Sequence, residues 1–371
     1  MLSTPPTRRR LISADSHLDL PWIPPDLWQE RLPASLREEG PRVVETGDRG
    51  SMWVWEGRPH TPSAAGSNNA LLLKDFYGDF GVEMEPGSLP PSDPKLVSAH
   101  LEGAGVTAQV MFPPVDGFIF GDERLGLACV RAYNEFALTM DRDSGGKVVP
   151  LAILPTGSPE ACAAEARWAV EQGFRGLEFN ALLAGRPLWE PVWEELWDTV
   201  EQAGVPLCTH ISATPGVEPV RHHGQWPSYV VQASFAILDP ILSLLFSGVL
   251  DRRPGLRVLL GECRVGWLPF VIQQAEDTAR ERYTDVKLSS TPTEIWQRQI
   301  AATFEEDRIG ARMLAMPWAN LAGTVMWASD YPHNHRVCFD PHPVLDELFA
   351  EVPEDVADHA CYGKAAEWFG L

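Results

Sequence analysis

The sequence predicts an α/β protein of the (β/α)8 (TIM) barrel class, and two observations carry that prediction. Eight short runs of apolar and β-branched residues recur along the chain, with helical patterns between most of them, and eight is the strand count of this barrel. The apolar character within each run is continuous rather than alternating, which is typical of parallel strands buried on both faces. The runs cover residues 11–14, 106–112, 148–154, 174–179, 205–209, 256–260, 299–304 and 324–328.

The segments between the runs carry helix start and stop signals. Residues 158–172 open with Ser158 as an N-cap, have Pro159 in the first turn, and end before Gly173. Residues 189–202 place an apolar stripe at helical spacing, with Trp189 as its first member. Residues 228–250 are apolar and helical in pattern, and Pro240 predicts a kink or a break inside them.

We interpret residues 1–371 as a single barrel domain with one insertion. A barrel of this kind needs about 250 residues, and most of the excess lies at residues 22–104, which are rich in Pro and Gly. This insertion either covers the barrel mouth or decorates the periphery. It contains a candidate hairpin, residues 42–46 and 52–56. Trp53 and Trp55 share one face of that hairpin, where they would line a pocket or form a small hairpin core.

Composition excludes several classes of partner and compartment. The chain has 30 Lys and Arg against 51 Asp and Glu, a net charge of −21, so it should repel nucleic acid and anionic membrane surfaces. Six cysteines without a CxxC pair do not suggest a disulfide framework, which favours the reducing cytoplasm. The apolar stretch at the N-terminus is too short for a signal peptide. The apolar-rich residues 233–250 are too short and too interrupted to span a bilayer.

Titratable side chains follow the runs at the end where barrel active sites form. Asp15 and His17 follow the first run two positions apart, so both can point to the barrel axis. His210 ends the fifth run, and Asp330 follows the eighth. Further strand-end carboxylates are Glu178 and Glu262. Each residue alone is more often a hydrogen-bonded core residue, but their convergence predicts a metal site. Two His and two Asp suit zinc or manganese.

The chain resembles a known family at these positions. The segments ISADSHLDLP, VPLCTHIS, GECRVGWLPF and MWASDYPH follow the order and spacing of the amidohydrolase-related (amidohydrolase 2) family, over residues 10–20 and 100–371. This family belongs to the metal-dependent amidohydrolase superfamily and includes aminocarboxymuconate-semialdehyde decarboxylase and resorcylate-type decarboxylases. The resemblance implies that Asp15, His17, His210 and Asp330 bind the cation. It implies one divalent metal ion, zinc as the first choice and manganese as the alternative, because no lysine ends the fourth run.

Three positions depart from the family pattern. Leu20 stands where relatives usually carry Glu, and Lys364 stands where they usually carry Asn. Glu262 occupies the end of the sixth run, where the decarboxylases carry His. A carboxylate beside a dication stays charged more readily than a histidine, so Glu262 suits activation of water better than protonation of carbon. Burial would reverse that preference, because it raises the pKa of a carboxyl group.

Five further residues are candidates for binding substrate. Arg221 and His222 lie in the loop after the fifth run, where an arginine could grip a carboxylate. His333 belongs to the SDYPH motif. The remaining two are Glu178 and Trp267. A solvated loop position is the alternative for one of His222 and His223, and likewise for one of His333 and His335. A strand cap is the alternative for Glu178.

The sequence supports three functions in order. The first is a mononuclear metal-dependent hydrolase of a small amide, lactone or similar compound, with Asp330 and Glu262 as catalytic residues. The second is non-oxidative decarboxylation of an aromatic or unsaturated carboxylate. The third is an inactive barrel that serves as a binding protein. The apolar residues 233–250 either supply a homodimer interface or pack on the barrel.

Overall fold

The computed structural model describes residues 8–47, 50–65, 88–115, 119–211, 222–281, 285–333 and 336–371. Each of the eight apolar runs corresponds to a barrel strand, and the strands of the fifth and sixth runs end one residue beyond the run. The strands are β1 Ile12–Ser13, β2 Arg42–Glu45, β3 Ser51–Trp55, β4 Arg58–Pro62, β5 Ala108–Met111, β6 Val148–Pro150, β7 Ala152–Ile153, β8 Leu177–Glu178, β9 Leu207–His210, β10 Val258–Gly261, β11 Ile300–Phe304 and β12 Val325–Trp327.

The barrel strands pair in parallel in chain order. One set of ladders joins β1, β5 and β6, and a second joins β7 through β12. Strands β6 and β7 are separated only by Leu151, whose amide donates to the carbonyl of Met111 in β5, while the amide of Ala152 donates to the carbonyl of Gly176 before β8. The third run is therefore one interrupted strand that joins the two sets of ladders. The amide of Ala14 donates to the carbonyl of Trp327 at 3.0 Å and links the first strand to the last. The predicted (β/α)8 barrel is therefore confirmed.

The barrel interior is filled by small and aliphatic side chains. Ile12, Val110, Cys208 and other inward residues form a separate core inside the ring of strands, and the C-terminal helix covers one end of it. Gly176, just before β8, lies against that helix. A Cβ atom at this position would stand 2.9 Å from Phe369, so the close contact requires glycine. This end is closed by packing, so only the carboxyl ends of the strands remain open for a site.

Helices surround the barrel. They are α1 Leu27–Arg31, α2 Pro94–Ala104, α3 Glu123–Asp143, α4 Pro159–Gln172, α5 Glu194–Ala203, α6 Gln225–Ala233, α7 Leu238–Phe246, α8 Val249–Arg252, α9 Leu268–Arg280, α10 Pro292–Gln299, α11 Arg308–Met313, α12 Arg336–Phe339, α13 Pro341–Leu348, α14 Glu354–Asp358 and α15 Lys364–Phe369. Gly173 ends α4 in the left-handed conformation, as expected of a C-cap.

Two helix predictions need correction. The helix predicted at 189–202 begins at Glu194, after a 3₁₀ turn, and the side chain of Trp189 is 58% exposed instead of packed on the barrel. The region predicted as 228–250 starts at Gln225 and is divided into α6, α7 and α8. The break precedes Pro240, which therefore lies in the first turn of α7, where its missing N–H costs no hydrogen bond.

The insertion forms a small antiparallel sheet. Strands β2 and β3 make the predicted hairpin, and β4, which the sequence did not predict, adds to its other edge. Trp53 is fully buried and packs edge-on against Trp28 at 5.0 Å, which is the core interpretation. Trp55 lines a cavity at the barrel mouth, which is the pocket interpretation. The sheet therefore covers the mouth of the barrel.

Within the part of the chain that the structure describes, one stretch, Gln225–Phe246, is long and apolar enough to span a membrane by length and composition alone. Only 33% of its most apolar window is buried in the protein. The core helices of soluble proteins pass the same test.

Candidate functional site

The end of β1 brings the two predicted ligand residues to the barrel axis. Asp15 and His17 are 0% and 1% exposed, and Ser16 between them pairs with Tyr331 in a bridge to the last strand. His210 is the final residue of β9, and Asp330 lies three residues beyond β12. The parallel strands therefore deliver all four side chains to one end of the barrel, as the sequence predicts.

These residues form two overlapping clusters of ligand atoms. Asp15, His17 and His210 make one, and His17, Asp330 and His333 make the other, with the ligand atoms of each cluster within 4.8 Å of one another. His17 is the shared member: its Nε2 lies 3.4 Å from Oδ1 of Asp15 and 3.0 Å from Oδ1 of Asp330. Nε2 of His210 lies 3.5 Å from Oδ2 of Asp15.

Backbone and hydroxyl groups orient the first cluster. Oδ2 of Asp15 accepts hydrogen bonds from the Glu262 amide and from the Thr303 hydroxyl, both at 3.0 Å. The Nδ1–H of His210 donates to the carbonyl of Ile211, which leaves Nε2 facing the cluster. In Asp15 and His210, hydrogen bonds therefore fix one polar atom of the side chain, Oδ2 and Nδ1 respectively, and leave Oδ1 and Nε2 available to bind a cation.

His333 and Asp19 form the outer part of the site. The ring of His333 donates from Nδ1 to Asp330 at 2.8 Å and from Nε2 to Asp19 at 2.9 Å. It also stacks on the His17 ring at a centroid distance of 4.4 Å. Burial acts to lower the pKa of His333, but the charge of Asp330 and the hydrogen bonds to both carboxylates raise it well above its ordinary value.

The cluster attracts positive charge. Burial acts to lower the pKa of His210, yet Asp15 and then Glu262 raise it to about 10. The pKa of Glu262 is raised by burial and by the charge of Asp330, although its side chain keeps 28% of its exposure. Protons on His210 and His333 therefore offset the negative charge of the surrounding carboxylates. A bound cation would offset the same charge.

The buried ligand atoms suit a divalent cation. Oδ1 of Asp15, Nε2 of His17 and Nε2 of His210 are fully buried and have no hydrogen-bond partner among the described residues. Unpaired buried polar atoms are costly, and a metal ion would satisfy all three at once. Imidazole nitrogens with carboxylate oxygens are a donor set for zinc or manganese. The residues present therefore fit the metal that the sequence predicts.

The backbone is strained at two of the strand ends. Glu262 and Asp330 have φ values of +50° and +56°, in the left-handed region that non-glycine residues rarely adopt. Strain of this kind costs of order 1–3 kcal/mol and concentrates at functional sites. Gly261 precedes Glu262, and a Cβ there would stand 2.6 Å from the His210 ring. The backbone at these strand ends therefore departs from its preferred conformation where it positions the side chains of the site.

A cavity of about 730 Å³ lies directly over the clusters. His17, His210, His333 and Glu262 form part of its wall. The other walls carry aromatic side chains from the inserted sheet and from α6, namely Trp55, His60, Trp226 and Tyr229. A cavity of this size holds a small organic molecule, and its aromatic walls suit a flat ring. We call it the catalytic pocket.

The other predicted substrate-binding residues lie elsewhere. Glu178 lines a neighbouring cavity rather than the catalytic pocket. The indole N–H of Trp267 donates to the Cys263 carbonyl at 2.8 Å, and Trp267 is not among the residues that line the catalytic pocket. His222 is exposed beside His223, in contact with its ring. Arg221 lies outside the described residues.

Sequence reasoning missed Asp19 and Glu305. Glu305 directly follows β11 and is 2% exposed; burial and then the charges of Glu262 and Asp330 raise its pKa well above the ordinary value. Its signal was present, because it is the first residue after the seventh apolar run. Asp19 lies two residues beyond His17 and so continues the alternation that pairs Asp15 with His17.

Comparisons with known proteins identify the family and the fold of the chain. The family model for amidohydrolases matches residues 107–371. No curated protein is significantly similar to the chain. Several solved structures align with 98% of the chain. Their sequence identity to it is 20% or less, so the likeness establishes the fold and not the activity.

Three of these solved structures illustrate the fold. One is 5-carboxyvanillate decarboxylase LigW from Sphingomonas paucimobilis, with TM-score 0.66, 20% identity, and coverage of 98% of this chain and 99% of that one. A second is an amidohydrolase from Mycobacterium avium subsp. paratuberculosis K-10, with TM-score 0.69, 18% identity, and coverage of 98% and 99%. A third is a dihydroxybenzoic acid decarboxylase from Polaromonas sp. JS666 with bound manganese and the inhibitor 2-nitroresorcinol, with TM-score 0.59, 15% identity, and coverage of 98% and 97%.

The matched residues contain seven of the eight barrel strands and the carboxyl-end residues His210, Glu262 and Asp330. The first strand lies outside the match and supplies Asp15 and His17 to the same clusters. The family model matches more than half of the chain. The chain therefore belongs to the amidohydrolase family of metal-dependent enzymes.

Proposed function

We propose that this protein is a metal-dependent, non-oxidative decarboxylase of an aromatic hydroxy-carboxylate. The observation that carries the proposal is the aromatic wall of the catalytic pocket, which stands over clustered metal-ligand atoms. Two of the similar solved structures are decarboxylases of substituted benzoates, which supports the reaction class. The substrate is a small molecule of one ring.

Asp15, His17, His210 and Asp330 are the proposed ligands, with His333 beside them in the second cluster. A divalent cation bound there would supply Lewis-acid polarisation of substrate oxygens and fix the orientation of the ring. Manganese is bound in one of the decarboxylases of this fold. The histidine and aspartate donors accept zinc equally well, so both ions belong in the reconstitution.

In the proposed reaction the bond between the ring carbon and the carboxylate carbon breaks. Its electron pair stays on the ring carbon, carbon dioxide leaves, and a proton takes its place. Glu262 lines the catalytic pocket with its side chain 28% exposed, so its carboxyl group can reach the ring and deliver that proton. Asp330 accepts a hydrogen bond from His333 and lies beside His17, so these three side chains can share a proton.

Hydrolysis, the first function that the sequence suggested, is the second candidate. It is favoured by Glu262 itself, since this carboxylate occupies the position of the decarboxylases' histidine and could act as a general base. A general base must be ionised to accept a proton. In the metal-free protein, burial of Glu262 and the charge of Asp330 raise the pKa of Glu262, which favours the protonated form that a proton donor needs.

The deciding experiment measures both reactions on the same metal-loaded enzyme. We expect carbon dioxide and a phenol from one member of a panel of hydroxybenzoates, followed by mass spectrometry, and no turnover of benzoate, which lacks the ring hydroxyl. Cleavage of an amide or lactone panel without release of carbon dioxide would establish hydrolysis instead. Glu262→Gln should lower decarboxylation by about 10²–10⁴ with unchanged metal content; loss of metal would make Glu262 a ligand.

We also propose a cytoplasmic homodimer that binds neither nucleic acid nor membrane. All six cysteines are buried and unpaired, as in a reducing compartment. Residues of α7 pack on the barrel, but Val230, Val231 and Phe235 before it are 49%, 69% and 47% exposed. An apolar face of this kind is typical of an interface between subunits. Light scattering at micromolar concentration tests it, and a strict monomer refutes it.

A further inference from the structure

A second cavity lies beside the catalytic pocket, at the ends of β7 and β8. It has a volume of about 510 Å³, within the range of small-molecule sites. Its walls are mainly apolar and come from α3 and from the loops after β7 and β8, with Phe120, Leu127, Val130 and Leu183 among them. Ile119 contributes to both cavities. We call it the side cavity.

One buried polar group faces this apolar space. Glu178 lines the side cavity and is only 2% exposed, and its Oε1 atom has no hydrogen-bond partner among the described residues. A buried polar atom without a partner costs about 1–3 kcal/mol. The geometry of Glu178 therefore indicates a partner that the protein itself does not supply.

The charge of the side cavity defines that partner. Its described lining contains no lysine or arginine, and Glu123 at the rim adds negative charge. An anionic ligand would be repelled there. Burial raises the pKa of Glu178 to about 8, against a smaller opposing effect of His210, so its carboxyl group is mostly uncharged at neutral pH. An uncharged carboxyl group both donates and accepts a hydrogen bond, which matches a hydroxyl group.

We propose that the side cavity binds an uncharged molecule of the size and polarity of a phenol, whose ring packs on the apolar walls and whose hydroxyl group pairs with Glu178. The inference rests on this cavity and does not depend on the reaction proposed for the catalytic pocket. If that reaction is correct, its phenolic product has the chemistry that the side cavity accepts.

Crystals of the protein soaked with 4-bromophenol test the proposal, because bromine is located by its anomalous scattering. We expect a bromine peak in the side cavity and the phenol oxygen within hydrogen-bond distance of Glu178. A peak found solely in the catalytic pocket, or no peak at saturating concentration, overturns the proposal.

Calorimetry with 4-bromophenol gives an independent test in solution. Leu127→Trp fills the side cavity and should remove the binding event, whereas Leu96→Trp, at a 42% exposed position outside both cavities, should leave it intact. Glu178→Leu should weaken it about 10-fold by removing the hydrogen bond. Equal affinity in Leu127→Trp and wild type would refute the site. Thermal melting identifies a variant that fails to fold, and the crystal result then decides.

Discussion

Nε2 of His17 lies 3.0 Å from Oδ1 of Asp330, although the two residues stand near opposite ends of the chain. This contact exists because the first and last barrel strands are neighbours, joined by the bridge between Ser16 and Tyr331. Closure of the barrel therefore brings together the residues of the proposed metal site, because a chain that did not close would separate His17 from Asp330 and His333.

His17→Ala should abolish metal binding more completely than loss of any other single ligand, because His17 belongs to both clusters. We expect metal affinity to fall by at least about 100-fold, since even residues that only support ligands cost 10–100-fold. Elemental analysis after dialysis measures it. His342→Ala, away from both clusters, is the control and should retain the metal; full metal content in His17→Ala would contradict the proposed site.

Gly261→Ala should disrupt the site through sterics alone. An added Cβ would stand 2.6 Å from Cδ2 of His210 and 3.1 Å from Oδ2 of Asp15, so at least one ligand must move. We expect metal and activity to be lost together while the barrel stays folded. Gly103→Ala is the matched control, because nothing lies within 4 Å of a Cβ there; in the last turn of α2 it should be neutral or stabilising, by up to about 1 kcal/mol. Similar behaviour of the two variants in circular dichroism and metal assays would refute the steric argument.

Asp19→Asn should lower the pKa of His333. In the metal-free protein the Asp19 carboxylate accepts a hydrogen bond from the His333 ring and favours its charged form. Removing that negative charge favours the neutral ring, so His333 should lose its proton at lower pH than in wild type. NMR titration of the metal-free protein follows this change, with the exposed Asp26→Asn as control. An unmoved titration would show that Asp330 alone sets the pKa.

Glu178→Gln should alter how stability depends on pH. The pKa of Glu178 is about 8 in the folded protein against 4.5 ordinarily, so folding favours its protonated form. The stability that this proton contributes is complete below pH 4.5 and is lost as the pH rises to about 8. The free energy of unfolding of wild type should therefore fall relative to Glu178→Gln across that window, by at most a few kcal/mol.

Urea unfolding of the metal-free proteins at pH 5 and pH 8.5 measures this difference. Glu171→Gln, an exposed substitution on α4, should follow wild type at both pH values. A constant gap between Glu178→Gln and wild type would mean that Glu178 ionises normally when buried.

Local patterns were sufficient for the strands and for the convergence of the proposed metal ligands. Strands buried on both faces leave continuous apolar runs, so each of the eight could be found without knowledge of its neighbours. Asp15, His17, His210 and Asp330 were recognisable because carboxyl ends of parallel strands meet at one end of a barrel. Glu305 satisfied the same rule, because it is the first residue after the seventh run.

Contacts between distant segments could not be read from local patterns. Trp53 and Trp55 have the same strand spacing, yet one packs on Trp28 and the other lines the catalytic pocket, because neighbours from elsewhere in the chain meet them. Glu178 ends a strand like the metal ligands, but it lines a different cavity. Side-chain alternation and apolar runs are properties of a few consecutive residues. Which cavity a strand end faces depends on how loops and helices far along the chain fold over the barrel mouth, and that arrangement is set by packing in three dimensions.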